Sequence, residues 1–179
     1  CKVWDLNGKI FLDMSMMGIG TNILGYSNGK IDREVKKNIL NGNLTTLNSP
    51  EEVFLAEKLI KLHPWAEMAK FTRSGGEANA VAVRIARAYS KRQKIAVCGY
   101  HGWHDWYLSA NLKSKKILNT HLLSDLEPLG VPKGLRGTLI PFKFNDWNDI
   151  EKIVKKNAKN CAAIVLEPCR DLLPKKNYL

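Results

Sequence analysis

The stretch from Met68 to Asp105, MAKFTRSGGEANAVAVRIARAYSKRQKIAVCGYHGWHD, does most to limit what this chain can fold into. Met68 to Thr72 is a short apolar run with a β-branched end, which predicts a strand. Ser74, Gly75 and Gly76 break that pattern. From Glu77 onward Ala78, Val81, Ala82, Ile85, Ala86 and Tyr89 recur at helical spacing. Lys94 to Cys98 is a second short apolar run, so the unit reads as strand, glycine turn, helix, strand, with the two strands expected to lie parallel.

A helix that begins directly after a glycine turn directs unpaired backbone N–H groups outward, with the positive end of its dipole behind them. That arrangement suits an anion. Glycine at 75 and 76 removes the Cβ atoms that would hold a phosphate away from the amides. Ser74 adds a hydroxyl, and Glu77 suits the first helical turn. The turn alone fits two readings, a phosphate cradle or a tight turn with a capping serine. The next loop, Gly99-Tyr100-His101-Gly102-Trp103-His104-Asp105-Trp106, leaves the carboxyl end of the second strand, where open α/β sheets place their ligands. An aromatic face beside a phosphate cradle suits a planar, phosphorylated ring.

SGGEAN, then VRIARAY, then GYHGWHD resemble the class III aminotransferases that depend on pyridoxal 5'-phosphate, and among them the glutamate-1-semialdehyde aminomutase-like branch. The resemblance runs along nearly the whole chain. It implies an α/β fold of the pyridoxal-phosphate-dependent transferase type (fold type I): a three-layer sandwich around a mostly parallel sheet, incomplete here. It also implies that residues 1–45 belong to a small domain and the active-site mouth, and 46–179 to the first half of the large cofactor-binding domain. By the same resemblance Ser74, Gly75 and Gly76 hold the cofactor phosphate, Tyr100 stacks on the pyridine ring, and His101 lies near the site without a proton-transfer role. The family usually carries threonine at the position of Gly76, so one side-chain hydroxyl is missing.

Composition narrows the class further. With 179 residues, 45% of them hydrophobic, the chain is long enough for one domain with a real core. No apolar run approaches the ~20 residues of a membrane span. Cysteines at 1, 98, 161 and 169 form no CxxC pair, and no leader precedes the fold, so reduced thiols and a cytoplasmic location are expected. The 28 basic and 17 acidic residues leave a charge of +11. The lysines are scattered along amphipathic stretches such as VKKN and EKIVKKN, as on solvated faces, and no nucleic-acid motif accompanies them. No nucleic-acid or membrane partner is expected; the excess charge favours anionic cofactor and substrate.

Elsewhere, Val3–Leu6 and Ile10–Met14 flank Asn7-Gly8, a two-residue hairpin signal. MMGIGTNILG, residues 16–25, hints at a dinucleotide fingerprint, but turn residues follow it in place of a helix. The resemblance puts this segment over the active-site mouth. Ile31–Leu40 reads as a helix closed by Gly42. Ser49-Pro50-Glu51-Glu52 is a capping box opening a second helix that stops at Pro64 and carries a broad apolar face for covering a sheet. Lys113–Arg136 is irregular, Thr138–Phe142 a strand, and Asp146 the cap of a helix running to about Asn157. Cys161–Leu166 is a fully apolar run of the parallel, buried kind, ending in Glu167-Pro168.

Glu167 is a further site candidate, because a carboxylate at the end of a buried strand is costly unless paired. The family's Glu-Pro lies close to the cofactor. Arg73 is a weaker, steering candidate. Cys98, His101 and His104 have ligand-like spacing, but no fourth ligand is evident, and no metal is expected. Pyridoxal chemistry also needs a lysine to form a Schiff base and an acidic partner for the ring nitrogen. The resemblance places both downstream of Glu167. Lys70, Lys91, Lys94, Lys115 and Lys116 sit beside strands or in turns and do not substitute. The chain therefore reads as an inactive fragment, with no catalytic residue of its own, of an enzyme moving an amino group between a donor and a carbonyl carbon. Its expected partners are a small amino or carbonyl substrate and, at full length, a second copy in a homodimer. The opposing reading is a non-catalytic basic binding module that retains the fold.

Overall fold

A computed structural model describes residues 1–42, 46–114, 116–121, 124–169 and 172–178. The chain divides into two compact units, Cys1–Ala69 and Lys70–Leu179.

The first unit opens with a hairpin of β1 (Lys2–Trp4) and β2 (Ile10–Leu12), antiparallel with Val3 opposite Phe11. Its turn is wider than the two residues expected. The Gly8 amide donates to the Asp5 carbonyl at 3.0 Å, Gly8 takes φ +80°, and the Asp5 carboxylate accepts from the amides of Asn7 and Lys9. Asp5 thus competes for those amides with the strand ladder, giving a turn closed by a left-handed glycine. Helix α1 (Gly29–Leu40) starts two residues before the expected Ile31, because Asn28 caps it by accepting from Lys30 and Ile31. Helix α2 (Pro50–Leu62) has Ser49 as its cap, accepting from the Glu52 amide, and proline at its first position. No described residue of this unit is buried, and Val53, Phe54, Leu55 and Leu62 of α2 are exposed. The apolar face is there in the pattern, but a face is buried only when another surface lies on it.

The second unit contains α3 (Gly75–Ser90), β3 (Lys94–Cys98), a short α4 (Asp105–Leu108), β4 (Leu139–Pro141), α5 (Trp147–Asn157) and β5 (Cys161–Leu166). Its sheet has the order β4-β3-β5, all parallel, pairing Ile95 with Leu139 and Ala163, and Cys98 with Leu166. The two-residue period of β3 sorts its side chains into two cores. Ile95 and Val97 pack with Val83, Trp106, Tyr107, Leu118 and Leu139; Ala96 and Cys98 pack with Phe142, Ile150 and Tyr178. Both faces are therefore covered, by α3 and α4 on one side and α5 on the other, and three layers result.

Two further expectations need correction. Met68–Thr72 forms no strand: it pairs neither with β3, whose two sides are taken by β4 and β5, nor with the outer edges of those strands, and Met68 is 87% exposed. β5 is parallel and at the edge of the sheet, as expected of the last strand, but it is only half buried where a buried strand was expected, with Ile164 45% exposed. Asp146 caps α5 as read, accepting from the Asp149 amide at 3.1 Å. Among the described residues Cys1, Cys98, Cys161 and Cys169 are joined by no disulfide. Among the described residues no helix is long and apolar enough to cross a membrane.

Candidate functional site

The start of α3 is built by a reciprocal cap. Ser74, extended at φ −144°, accepts the Glu77 amide on Oγ at 3.3 Å, and Glu77 Oε2 accepts the Arg73 amide at 2.9 Å. The first helical hydrogen bond runs from the Ala78 amide to the Ser74 carbonyl. The amides of Gly75 and Gly76 have no acceptor among the described residues. Gly75 and Ser74 are exposed, so these donors are open to an incoming anion. The part of Arg73 that the structure ties in is its main-chain amide; its side chain is exposed.

The loop after β3 reaches back to this point. A Cβ on Gly102, which has φ +103°, would lie 2.9 Å from the Gly76 Cα. A Cβ on Gly76 would lie 2.9 Å from Nδ1 and Cε1 of His104. Two glycines thus allow two backbones to touch, and an exposed imidazole fills the space where a side chain at 76 would begin. Sequence reading weighed His104 only as a metal ligand and missed this contact. The signal was the pairing of an unusual glycine at 76 with a histidine just beyond the YHG segment.

Gly99 is the hinge of the loop. It takes φ +101°, and a Cβ there would meet the Glu167 carboxylate at 2.5 Å, so glycine is what lets Glu167 lie over the end of β3. The Glu167 amide extends the ladder by donating to the Cys98 carbonyl at 3.1 Å. The Gly99 carbonyl accepts the Tyr107 hydroxyl at 2.9 Å, and the His121 ring stands 3.2 Å from both polar groups of Gly99. Tyr107 and His121, both buried, were not singled out from the sequence. His121 lies far from the loop in sequence, and Tyr107, next to its end, carries no sign of the carbonyl it reaches.

Tyr100 is half buried, with Tyr107 and Trp103 edge-to-face against it at centroid distances of 5.9 and 6.4 Å. Desolvation holds its phenol above the ordinary value, against a smaller lowering from Trp103. His101 is 7% exposed and turns inward; its Nε2 lies 2.8 Å from the Cys98 carbonyl, where a protonated nitrogen donates. The main chain of His101 is met by Asn79 of α3. The ring therefore stiffens the loop. The metal-like spacing is not realised: Cys98 lies in the core, His101 turns onto a carbonyl, and His104 lies on Gly76. Among the described residues no three histidine, cysteine or carboxylate side chains could share an ion.

Ser74, Gly75, Gly76, Tyr100, His101 and Glu167 thus belong to one locus, formed by the carboxyl ends of β3 and β5 and the amino end of α3. A neighbouring cleft of about 630 Å³, lined by Arg84, Arg87, Trp103, His104 and Trp106 among others, shares only His104 with the contacts at the α3 start. Two free amides, with open space at Gly75 and an imidazole beside Gly76, next to an aromatic loop, fit a phosphorylated planar ring.

Comparison with known proteins gives the same picture. The chain is 34% identical over 185 residues to a glutamate-1-semialdehyde 2,1-aminomutase of Methanococcus vannielii, covering 100% of this chain and 42% of that protein. It is 30% identical to a 3-aminobutyryl-CoA aminotransferase of Cloacimonas acidaminovorans, covering 99% of this chain and 40% of the relative. A solved transaminase with pyridoxal phosphate bound superposes with a TM-score of 0.78 at 26% identity, covering 98% of this chain and 41% of that one. The three-layer fold read from the sequence is the one shared with such structures, and the chain spans about two fifths of the length of the curated relatives it matches. The family model for class III aminotransferases matches residues 1–171, and with the glycine-built locus described above, it makes this chain a member of the class III aminotransferase family.

Proposed function

We propose that this chain forms the phosphate-and-ring side of the cofactor site in a pyridoxal-phosphate-dependent aminotransferase or aminomutase, which moves an amino group between a donor and a carbonyl carbon of small substrates. The pair of amides at Gly75 and Gly76, which have no acceptor among the described residues, carries the reading. When bound, pyridoxal phosphate supplies a carbonyl that captures amines and a ring that delocalises the electrons released on C–H cleavage.

The chain's own residues bind and orient. Gly75 and Gly76 donate to the phosphate, and Ser74, whose Oγ lone pair already serves Glu77, keeps its hydroxyl hydrogen for the same anion. Tyr100 presents an apolar face to the ring, supported edge-on by Tyr107 and Trp103. His101 holds the loop by its bond to Cys98, and Glu167 keeps a carboxylate at the strand ends. None of the lysines in residues 1–179 is assigned to carry the cofactor, and these residues by themselves are taken to be inactive. Residues 1–45 belong with the small domain and 46–179 with the large one, and the whole enzyme works in the cytoplasm as a homodimer.

Pyridoxal phosphate titration, followed by quenching of tryptophan fluorescence, tests this. Tyr100→Ala and Gly76→Val should each weaken binding by about tenfold or more, the loss expected for one stacking or one charge-assisted contact of about 1.4 kcal/mol. Indifference to both substitutions would remove the site.

A further inference from the structure

Along β4, an edge strand of the sheet, and beside Lys94 at the start of β3 lies a second cleft of about 670 Å³, whose lining includes neither Gly99 nor Glu167. Its floor is apolar, with Ala110, Ile117, Leu139, Pro141 and Ile153. Its ionisable lining is of one sign: Lys94, Lys113, Arg136, Lys152 and Lys156, without a carboxylate among the described lining residues. Favourable placement of lysines in the last turn of α5 accounts for Lys156 through the helix dipole. It does not account for Lys94 of β3, Lys113 or Arg136, which come from three other parts of the chain and converge on the same space.

Lys94 makes the second observation. Its half-buried ammonium donates to Asn157 Oδ1 at 2.8 Å, and Asn157, itself buried, is oriented by donating to the Ile153 carbonyl at 2.9 Å. The cation is thus held by a fixed neutral amide and has no anionic partner among the described residues. The nearest carboxylates of α5 are engaged elsewhere: Glu151 pairs with Lys155 at 2.9 Å, and Asp149 accepts the Lys143 amide. A partly desolvated charge without a counterion favours an anion brought from outside.

We infer that this cleft binds a small phosphorylated molecule with an apolar or aromatic body and at least two negative charges, at a place separate from the α3 start. Volume decides against a macromolecule, because clefts of ~300–1,000 Å³ are the size of small-ligand sites. The apolar floor takes the body and the basic rim takes the phosphates.

ATP is a suitable probe, with adenosine and inorganic triphosphate as its two halves. On the 179-residue chain, ATP should bind more tightly than either half, bind more weakly as salt rises, and shield Lys113, Lys152 and Lys156 from acetylation read by mass spectrometry. Lys152→Glu with Lys156→Glu should weaken ATP by about tenfold. Lys36→Glu with Lys37→Glu, the same change in net charge on exposed α1 positions, should leave it within about twofold. Equal loss in both pairs, triphosphate or adenosine binding as well as ATP, or shielding confined to lysines outside the cleft would each overturn the inference. If the α5 pair fails to fold, the shielding pattern on the unmodified chain decides it.

Discussion

Two glycines meet where the loop touches α3, and they differ in what a side chain would strike. At Gly102 a Cβ would strike the Gly76 backbone at 2.9 Å, and φ is +103°, so neither the residue nor its neighbour can yield cheaply. At Gly76 the obstacle is only the exposed ring of His104, which can rotate away. Gly102→Ala should therefore lower stability by about 2–4 kcal/mol, and Gly76→Ala by less than about 1 kcal/mol, compared in urea melts. Reversed magnitudes would mean that the loop and α3 do not meet as described. Tyr107→Phe removes one donor to the Gly99 carbonyl and should cost about 1 kcal/mol in the same assay. The Tyr100 phenol, raised by desolvation, should titrate above pH 10 by tyrosinate absorbance, with the difference from Tyr100→Phe isolating it. Because its folded value is the higher one, any stability it contributes is complete below pH 10 and declines as pH rises through the raised value. Titration at or below pH 10 would show the ring to be fully solvated.

Three helix starts were legible because a side chain near in sequence sets them, whereas the local cap of α1, Asn28, was missed. Ser49, Ser74 and Asp146 each accept the amide three residues on, as their spacing suggested, and substitution of Ser74 by alanine should cost about 1 kcal/mol of helix stability. Met68–Thr72 misled because a strand is a relation between segments, and an apolar run does not show whether a sheet edge lies beside it. The hairpin turn misled for a local reason, the Asp5 carboxylate reaching two amides at once. The site residues themselves were visible as a motif. Their supports were not, since Glu167 over Gly99 and His104 against Gly76 join parts of the chain that only the folded sheet brings together.

At the scale of the molecule the two units differ in what protects them. Lys70–Leu179 holds both cores, with Ile95, Val97 and Tyr107 fully enclosed, whereas no described residue of Cys1–Ala69 is buried. Hydrogen exchange should accordingly show slow amides in β3 and fast ones in α1 and α2, since local opening is easy where few apolar contacts must break. Slow exchange across α2 would mean that its apolar face is covered in solution. The exposed apolar side chains, from Trp4 and Phe11 through Phe54 to Ile164 of the edge strand, also predict self-association that grows with concentration. Analytical ultracentrifugation checks this, and a sharp monomer at all concentrations would contradict it. The central claim concerns two backbone nitrogens, and amide chemical shifts observe them directly. On addition of pyridoxal phosphate to the nitrogen-15-labelled chain, the Gly75 and Gly76 resonances should move furthest, while pyridoxal without its phosphate leaves them in place; shifts elsewhere, with these two unchanged, would contradict the account.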